Sequence, residues 1–426
     1  MRFSARKVIS SVLVAALTVS MSVVGTGCSN NNKNGGVSKN AASNGGTAAS
    51  SQLPKGKTLR VWTYMEAEAP TLKEYAEKWA KKTGNTVNLI YQKSSMQQFA
   101  QAARSSSGPD VIYGIPNDNV ATFATANLVK DVPSDIISEN DYTPASVKAC
   151  KMNGKLSSVP IAIESIALFY NTDKVKNAPT TFDSLISDAK NNGFMFDISN
   201  FYYAYGFMRA NGGYVFKDNN GQYDIKDIGL ENDGAKKGYS FLNDFVNKYH
   251  FMPADITGDV AKSNFQSGKI AYYIGGPWDV ESFKSAKTHF KIAPLPTWNG
   301  NHLKTAVGTQ VAFVNASTKN ESLAWDFIKY MGDECALPLY KVGSRIPAKL
   351  AMQQKPEIKN DPNTEAFIEQ ASYGEPMPTI PEISQVWAPA QNNLKLVFTN
   401  KINVDKAASN IVAQLKQGIT TMDAGK

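Results

Sequence analysis

LRVWTYMEAEAPTLKEYAEKWAKKTGNTVNLIY, residues 59–91, decides the architecture of this chain. Leu59 to Thr63 is a short apolar strand pattern. Leu72, Tyr75, Ala76, Trp79 and Ala80 then recur at three- and four-residue spacing, the signature of a helix with one buried face. Gly84 closes that helix, and a second strand runs from Thr86 to Tyr91. A helix-like stretch from Ser95 to Arg104 follows, then Gly108-Pro109 and a third strand from Asp110 to Tyr113. This is a β-α-β-α-β unit, and right-handed crossovers make its sheet parallel. Ligands of open parallel sheets sit outside the carboxyl ends of the strands, which puts Tyr64 to Ala67 and Gly114 to Asp118 on one wall of a site.

Downstream, Ile161, Ile163 and Ile166 to Tyr170 read as extended, and Pro179-Thr180 starts a helix through Ala189. Tyr214-Val215-Phe216 and Gln222 to Ile225 flank Asn220-Gly221, the pair favoured by a type I′ hairpin turn. Asn232 to Tyr249, Ser322 to Met331 and Ala407 to Ile419 carry helical spacing. There is no internal repeat.

Upstream, residues 1–52 read as an address and a tether. Arg2, Arg6 and Lys7 precede an apolar run from Val8 to Val24, and Gly25-Thr26-Gly27 leads into Cys28. That pattern is an export signal, residues 1–27, ending at a lipidated cysteine; an ordinary secretory signal cut near Gly27 is the alternative. Residues 28–52 are a polar, flexible linker in composition. The remainder, about 370 residues, is too long for one ordinary core and suits two domains. No second apolar run approaches the roughly 18 residues needed to span a bilayer. The formal charge of +8 includes the three basic residues of the signal and is spread without basic blocks, so nucleic-acid binding gains no support. Cys150 and Cys335 could pair or stay as buried thiols.

Enzyme signatures are missing: no HExxH, no GxSxG, no phosphate-cradling GxxxxGK[ST], no clustered Cys/His ligands. His250, His289 and His302 lie in no metal-ligand or nucleophile-activating pattern. A glycosidase, which needs only two carboxylates close in space, is the enzyme class compatible with the sequence. Aromatics in loop-like contexts are present instead: Trp278 after Gly275-Gly276-Pro277, Trp387 before Ala388-Pro389, and Tyr202, Tyr203 and Tyr205 together. A sugar has an apolar face and a hydroxyl rim, so its site calls for flat aromatics with carboxylates and amides nearby. Trp62 and Trp79 are already explained by their strand and helix patterns.

Several stretches resemble one family, the periplasmic or lipid-anchored maltose/maltodextrin-binding proteins of ABC importers. They are Asn153-Gly154-Lys155-Leu156 through Pro160 and Glu164 to Asn171, Gly212-Gly213-Tyr214 through Tyr223 to Gly229, Gly276-Pro277-Trp278, and Gly374-Glu375-Pro376-Met377-Pro378 through Pro381 to Trp387. The resemblance runs from about Leu59 to Ile419. It implies an α/β, two-lobed periplasmic-binding-protein-like fold, each lobe a mostly parallel sheet flanked by helices, with ligand in the cleft between. Residues 53–163 with 309–360 would form the first lobe, and 164–308 with 361–426 the second. It assigns Glu164 and Glu66 to sugar hydroxyls, Tyr202, Trp278 and Trp387 to stacking, Met377 to a loop beside the sugar, and Asn117 and Asp118 to a loop that caps one ring, while Tyr64 is placed on the first-lobe wall by the strand ends alone.

The same resemblance implies a monomeric extracellular protein, anchored by lipid on Cys28, that binds maltodextrin without catalysis, cofactor or metal. Its partners would be the transmembrane subunits of an ABC permease and their cytoplasmic ATPase. Departures lie mostly on the first lobe: Ala67 replaces a lysine, Gly114 a tryptophan, and Asn117-Asp118 an Asp-Arg pair; Asn200, Ala388 and Gln391 replace further anchors. Charge-assisted bonds are strong and directional, so their loss bears on which sugar is preferred. Galacto-oligosaccharide, cyclodextrin and β-gluco-oligosaccharide stay open as alternatives.

Overall fold

The 59–91 segment folds as a strand, Thr58–Thr63, a helix, Ala69–Thr83, and a strand, Thr86–Tyr91. Gly84 caps the helix in the left-handed conformation at φ 71°, its N–H donating to the Ala80 carbonyl. The computed structural model describes residues 53–93, 98–152, 154–219 and 222–424. Cys28, the signal and the linker fall outside them, as do Asn153 and the turn pair Asn220-Gly221.

Thr58–Thr63 pairs in parallel with both Thr86–Tyr91 and the third strand. That third strand is longer than its pattern suggested, Val111–Pro116, and Gly114 lies inside it at φ +90°. A Cβ there would sit 2.3 Å from the Met65 sulfur, so the close approach of the two strand ends requires glycine. The helix expected over residues 95–104 is described only as Gln98–Ala102.

The first sheet runs in the order Ile346–Pro347, Val159–Glu164, Ala306–Val314, Val111–Pro116, Thr58–Thr63, Thr86–Tyr91, with Glu375–Pro376 beside Ala306–Val314. It is mixed, not mostly parallel as expected. Ala306–Val314 is antiparallel to both of its long neighbours, because the chain re-enters this sheet on a strand arriving from the other lobe and not through a helical crossover. The second sheet, Phe290–Ala293, Ala167–Asn171, Tyr272–Gly275, Phe194–Met195, is parallel only at its last pair. The chain thus passes between two sheets near residue 165 and again at the start of Ala306–Val314, and Glu375–Pro376 later adds a short strand beside that second passage.

Each sheet has its own core. Leu59, Val61, Leu72, Trp79, Phe327 and Leu339 pack beside the first, where the Trp79 indole also donates to Asp326 at 2.7 Å. Phe169 centres the second, with Phe265, Tyr273, Phe283, Phe290 and Phe367 around it. The hairpin strands are Lys217–Asn219 and Gln222–Asp224, later than the expected 214–216, because Val215 and Phe216 are drawn into this core. Helices begin where side chains can accept their first N–H groups: Thr181 and Ser184 form a capping box ahead of Phe182–Asn192, and Asn232 caps Asp233–Asn247. Cys150 and Cys335 are free and buried, which pushes both thiols up to about 12. Among the described residues no helix is long and apolar enough to cross a membrane.

Candidate functional site

Glu164 ends its strand directly opposite Gly308, at the first passage between sheets. A Cβ on residue 308 would lie 3.1 Å from Glu164 Cγ, so glycine makes room for the carboxylate. The Glu164 side chain is buried, and both its oxygens have donors: Gln310 Nε2 to Oε1 at 3.1 Å, and Arg345 Nη1 to Oε2. Arg345 also donates from Nε to Glu68 Oε1 at 2.6 Å. It is delivered by Ser344, the left-handed cap (φ 51°) of the helix Ala336–Gly343. One cation between two buried carboxylates is tolerable only because each charge is hydrogen-bonded.

On the facing lobe, Asn200 caps the helix Phe201–Ala210 by accepting from Tyr202 N–H at 3.1 Å, which sets where the helix and Tyr202 begin. That ring lies 6.3 Å from Trp278, tilted by 52°. Trp278 sits in the tight turn Pro277–Asp279, its indole N–H donates to the Tyr203 hydroxyl, and the Arg345 guanidinium lies 5.8 Å from its ring centroid. The Tyr202 hydroxyl is buried without a hydrogen-bond partner among the described residues, as is that of Tyr64. Buried orphan hydroxyls carry a desolvation cost that a ligand hydroxyl would relieve.

Trp387 opens the helix Trp387–Phe398, edge-on to Phe201 at 6.2 Å, and its indole N–H donates to Asp118. Asp118 opens the helix Asp118–Thr125 on the first lobe, so this bond ties the two lobes together. Burial, with the Glu164 charge adding to it, pushes the Asp118 carboxyl up to about 6, against the opposing bonds from its own backbone N–H, Trp387 and Asn119. The folded protein therefore holds the Asp118 proton more tightly than the unfolded chain does. Its stabilising contribution is full below the ordinary carboxylate value of 3.8 and is lost as pH rises through about 6. Asp118→Asn, which cannot ionise, is expected to gain in melting temperature relative to wild type as pH rises from 4 to 7; a constant difference across that range would refute the shift.

The structure thus brings Asp118, Glu164, Tyr202, Trp278 and Trp387 together. The other expected residues stand differently. Asn117 is buried and committed to the frame, accepting from Thr309 N–H at 3.1 Å and donating to Thr379 Oγ1 at 3.2 Å. Tyr64 follows the first strand, and burial pushes its hydroxyl up to about 12. Glu66 is exposed and accepts from the Tyr91 hydroxyl. Met377 is buried and lines a cavity of about 690 Å3 with Lys148, Tyr223 and Thr379, whose walls include none of the five clustered residues. Sequence reasoning missed Arg345, Glu68 and Gln310. One signal for Arg345 was available: the nearest acids in the chain are Glu334 and Glu357, so its counter-charge had to be distant. Among the described residues no group of three or more His, Cys, Asp or Glu could hold a metal ion.

With this geometry in hand, the chain can be compared with known proteins. It is 31% identical over 389 residues to the galactooligosaccharide-binding protein of Bacillus subtilis, covering 87% of this chain and 92% of that one. It is 32% identical over 375 residues to the maltooligosaccharide ABC transporter solute-binding lipoprotein of Streptococcus pneumoniae, covering 84% and 86%. The X-ray structure of the maltose-maltodextrin binding protein of Alicyclobacillus acidocaldarius superimposes with a TM-score of 0.81 at 36% identity, over 84% of this chain and all of that one. The likeness establishes the two-lobed periplasmic-binding-protein fold. Residues 74–366 match the model of the bacterial extracellular solute-binding proteins, and the chain belongs to that family.

Proposed function

We propose that this protein captures α-1,4-linked gluco-oligosaccharides outside the cell and delivers them to an ABC permease, without catalysis. The observation that carries this reading is the cluster itself. Two tilted aromatic rings, Tyr202 and Trp278, stand beside the Glu164 carboxylate on one side, with Trp387 and Asp118 meeting from opposite lobes on the other. Rings of this kind take the apolar faces of pyranoses, and the carboxylates and orphan hydroxyls take their rims. Tyr64, Glu66, Asn117 and Met377 belong to the proposed site as its outer contacts and frame. The lobe limits, 53–163 with 309–360 and 164–308 with 361–426, are part of the same proposal. They draw support from the two passages between the sheets.

Ligand bridging both lobes favours the closed arrangement by its differential affinity for closed over open, and the permease then reads closure. Micromolar affinity is roughly −8 kcal/mol, within reach of two or three stacked rings and a handful of satisfied hydrogen bonds. Anchoring through lipid on Cys28 would keep the body beside its permease. A second sugar, galacto-oligosaccharide, is favoured by the relative of that name from Bacillus subtilis.

The test is calorimetric titration of the protein with maltotriose, a galacto-oligosaccharide and a cello-oligosaccharide at equal concentration. Micromolar or tighter binding of maltotriose, with the others weaker, is the expected result. Heat from the galacto-oligosaccharide alone would move the specificity and keep the transport role. Release of reducing ends would mean that the cleft hydrolyses its sugar, and would overturn the reading.

A further inference from the structure

Arg345 is the one cation among the described residues that contacts the clustered carboxylate and ring of the candidate site, and its geometry is over-determined. Nε is clamped by Glu68 at 2.6 Å and Nη1 by Glu164, so two of the three guanidinium nitrogens have fixed partners. The side chain is 11% exposed, Glu68 is 1% exposed, and the plane cannot swing without breaking a buried ion pair. Nη2 makes no hydrogen bond to any described residue. The guanidinium stands over the Trp278 ring, its Cζ 5.8 Å from the centroid. A pyranose reaching that ring meets the guanidinium at its rim.

We propose that Arg345 is a specificity-determining residue, presenting Nη2 as a donor of fixed direction to a hydroxyl of the sugar ring held at Trp278. The inference rests on the oligosaccharide reading above. Its physical basis is the clamp. A free lysine or arginine follows whatever hydroxyl arrives, whereas a guanidinium held through two nitrogens offers its remaining N–H groups along one line. Epimers such as glucose and galactose differ in whether one hydroxyl stands in or out of the ring plane, so a donor of fixed direction accepts one and leaves the other unpaired. Glu164, with both oxygens already bonded, retains lone pairs for the same ring, and Arg345 keeps that carboxylate aimed. Arg345 is thus a contact residue through Nη2 and a positioning residue through Nη1.

The experiment uses calorimetric titration of the full chain with maltotriose, the galacto-oligosaccharide and the cello-oligosaccharide, for wild type, Arg345→Lys and the charge-balanced pair Arg345→Gln with Glu68→Gln. The pair leaves the net charge of the cluster unchanged, with Glu164 still bonded by Gln310, so it covers the case in which a single change fails to fold. Melting temperatures are recorded beside the titrations. The expected result is that both variants bind the preferred sugar about tenfold or more weakly, and that the ratio of affinities between the preferred sugar and its nearest competitor shrinks by a similar factor. A purely structural role would lower the melting temperature and weaken every sugar equally, leaving the ratio intact, and that outcome overturns the inference. Unchanged titrations in the variants would overturn it too while leaving the transport reading standing. Silence of wild type toward all three sugars would sink that reading, and the inference with it.

Discussion

Trp278→Ala is expected to weaken oligosaccharide binding by about 2 kcal/mol, roughly thirtyfold in dissociation constant, while the fold persists. The ring is part-buried, wedged beside Tyr202 and under Arg345, and its turn is fixed by Gly276 and Pro277 rather than by the ring. Truncation removes stacking area that a pyranose would cover. It also removes the indole donor to Tyr203, a loss on the order of 1 kcal/mol in stability. Trp278→Phe separates the two effects, because phenylalanine keeps a flat face and lacks the N–H. Most of the affinity should return in that variant, and the stability loss should stay. Titration of both variants with the sugar that wild type prefers, beside thermal melts, checks this; an unchanged dissociation constant in Trp278→Ala would remove the residue from the site.

The elements that sequence patterning located well are those whose signal is local. Thr86–Tyr91 and Ala69–Thr83 follow from alternation, three- and four-residue spacing and a glycine cap, all within one window of chain. What the patterning could not supply is pairing at a distance. Nothing near Ala306 announces that its strand runs antiparallel to two strands that are far apart in sequence, and so the sheets came out mixed where a β-α-β reading extended them as parallel. The site divides along the same line. Tyr202, Trp278 and Trp387 were legible because aromatics stand in loop-like contexts that core packing does not explain, and Glu164 because of the family resemblance alone; the fold brings the four together. Arg345 was not legible, since its meaning lies in Glu68 and Glu164, 277 and 181 residues away. Asn117 illustrates the converse. The strand-end reading and the resemblance put it on the first-lobe wall, and its bonds to Thr309 and Thr379 come from segments that only the tertiary structure brings beside it.

Phe169→Ala is expected to cost about 3–5 kcal/mol of stability, the largest effect of any change considered, with little direct effect on the cleft. Phe169 is fully buried in the middle strand pair of the second sheet, and five aromatic rings lie between 5.5 and 6.2 Å of its own. They come from four other parts of the chain, Phe265, Tyr273, Phe283 with Phe290, and Phe367, so no single segment can move in to fill the void. Edge-to-face contacts lose their partners outright when the ring goes, and the cavity left among rigid rings collapses only in part. The strand carrying Phe169 starts three residues after Glu164, so the same packing fixes the far side of the first passage between lobes. Denaturant unfolding of the variant should show the loss in full, and titration below its midpoint should still give near wild-type affinity. A loss under 1 kcal/mol would mean that the aromatic cluster repacks. A large loss of affinity with a small loss of stability would mean that the second-lobe core governs the cleft directly, and that the division between rings that hold the lobe and rings that hold the sugar is wrong.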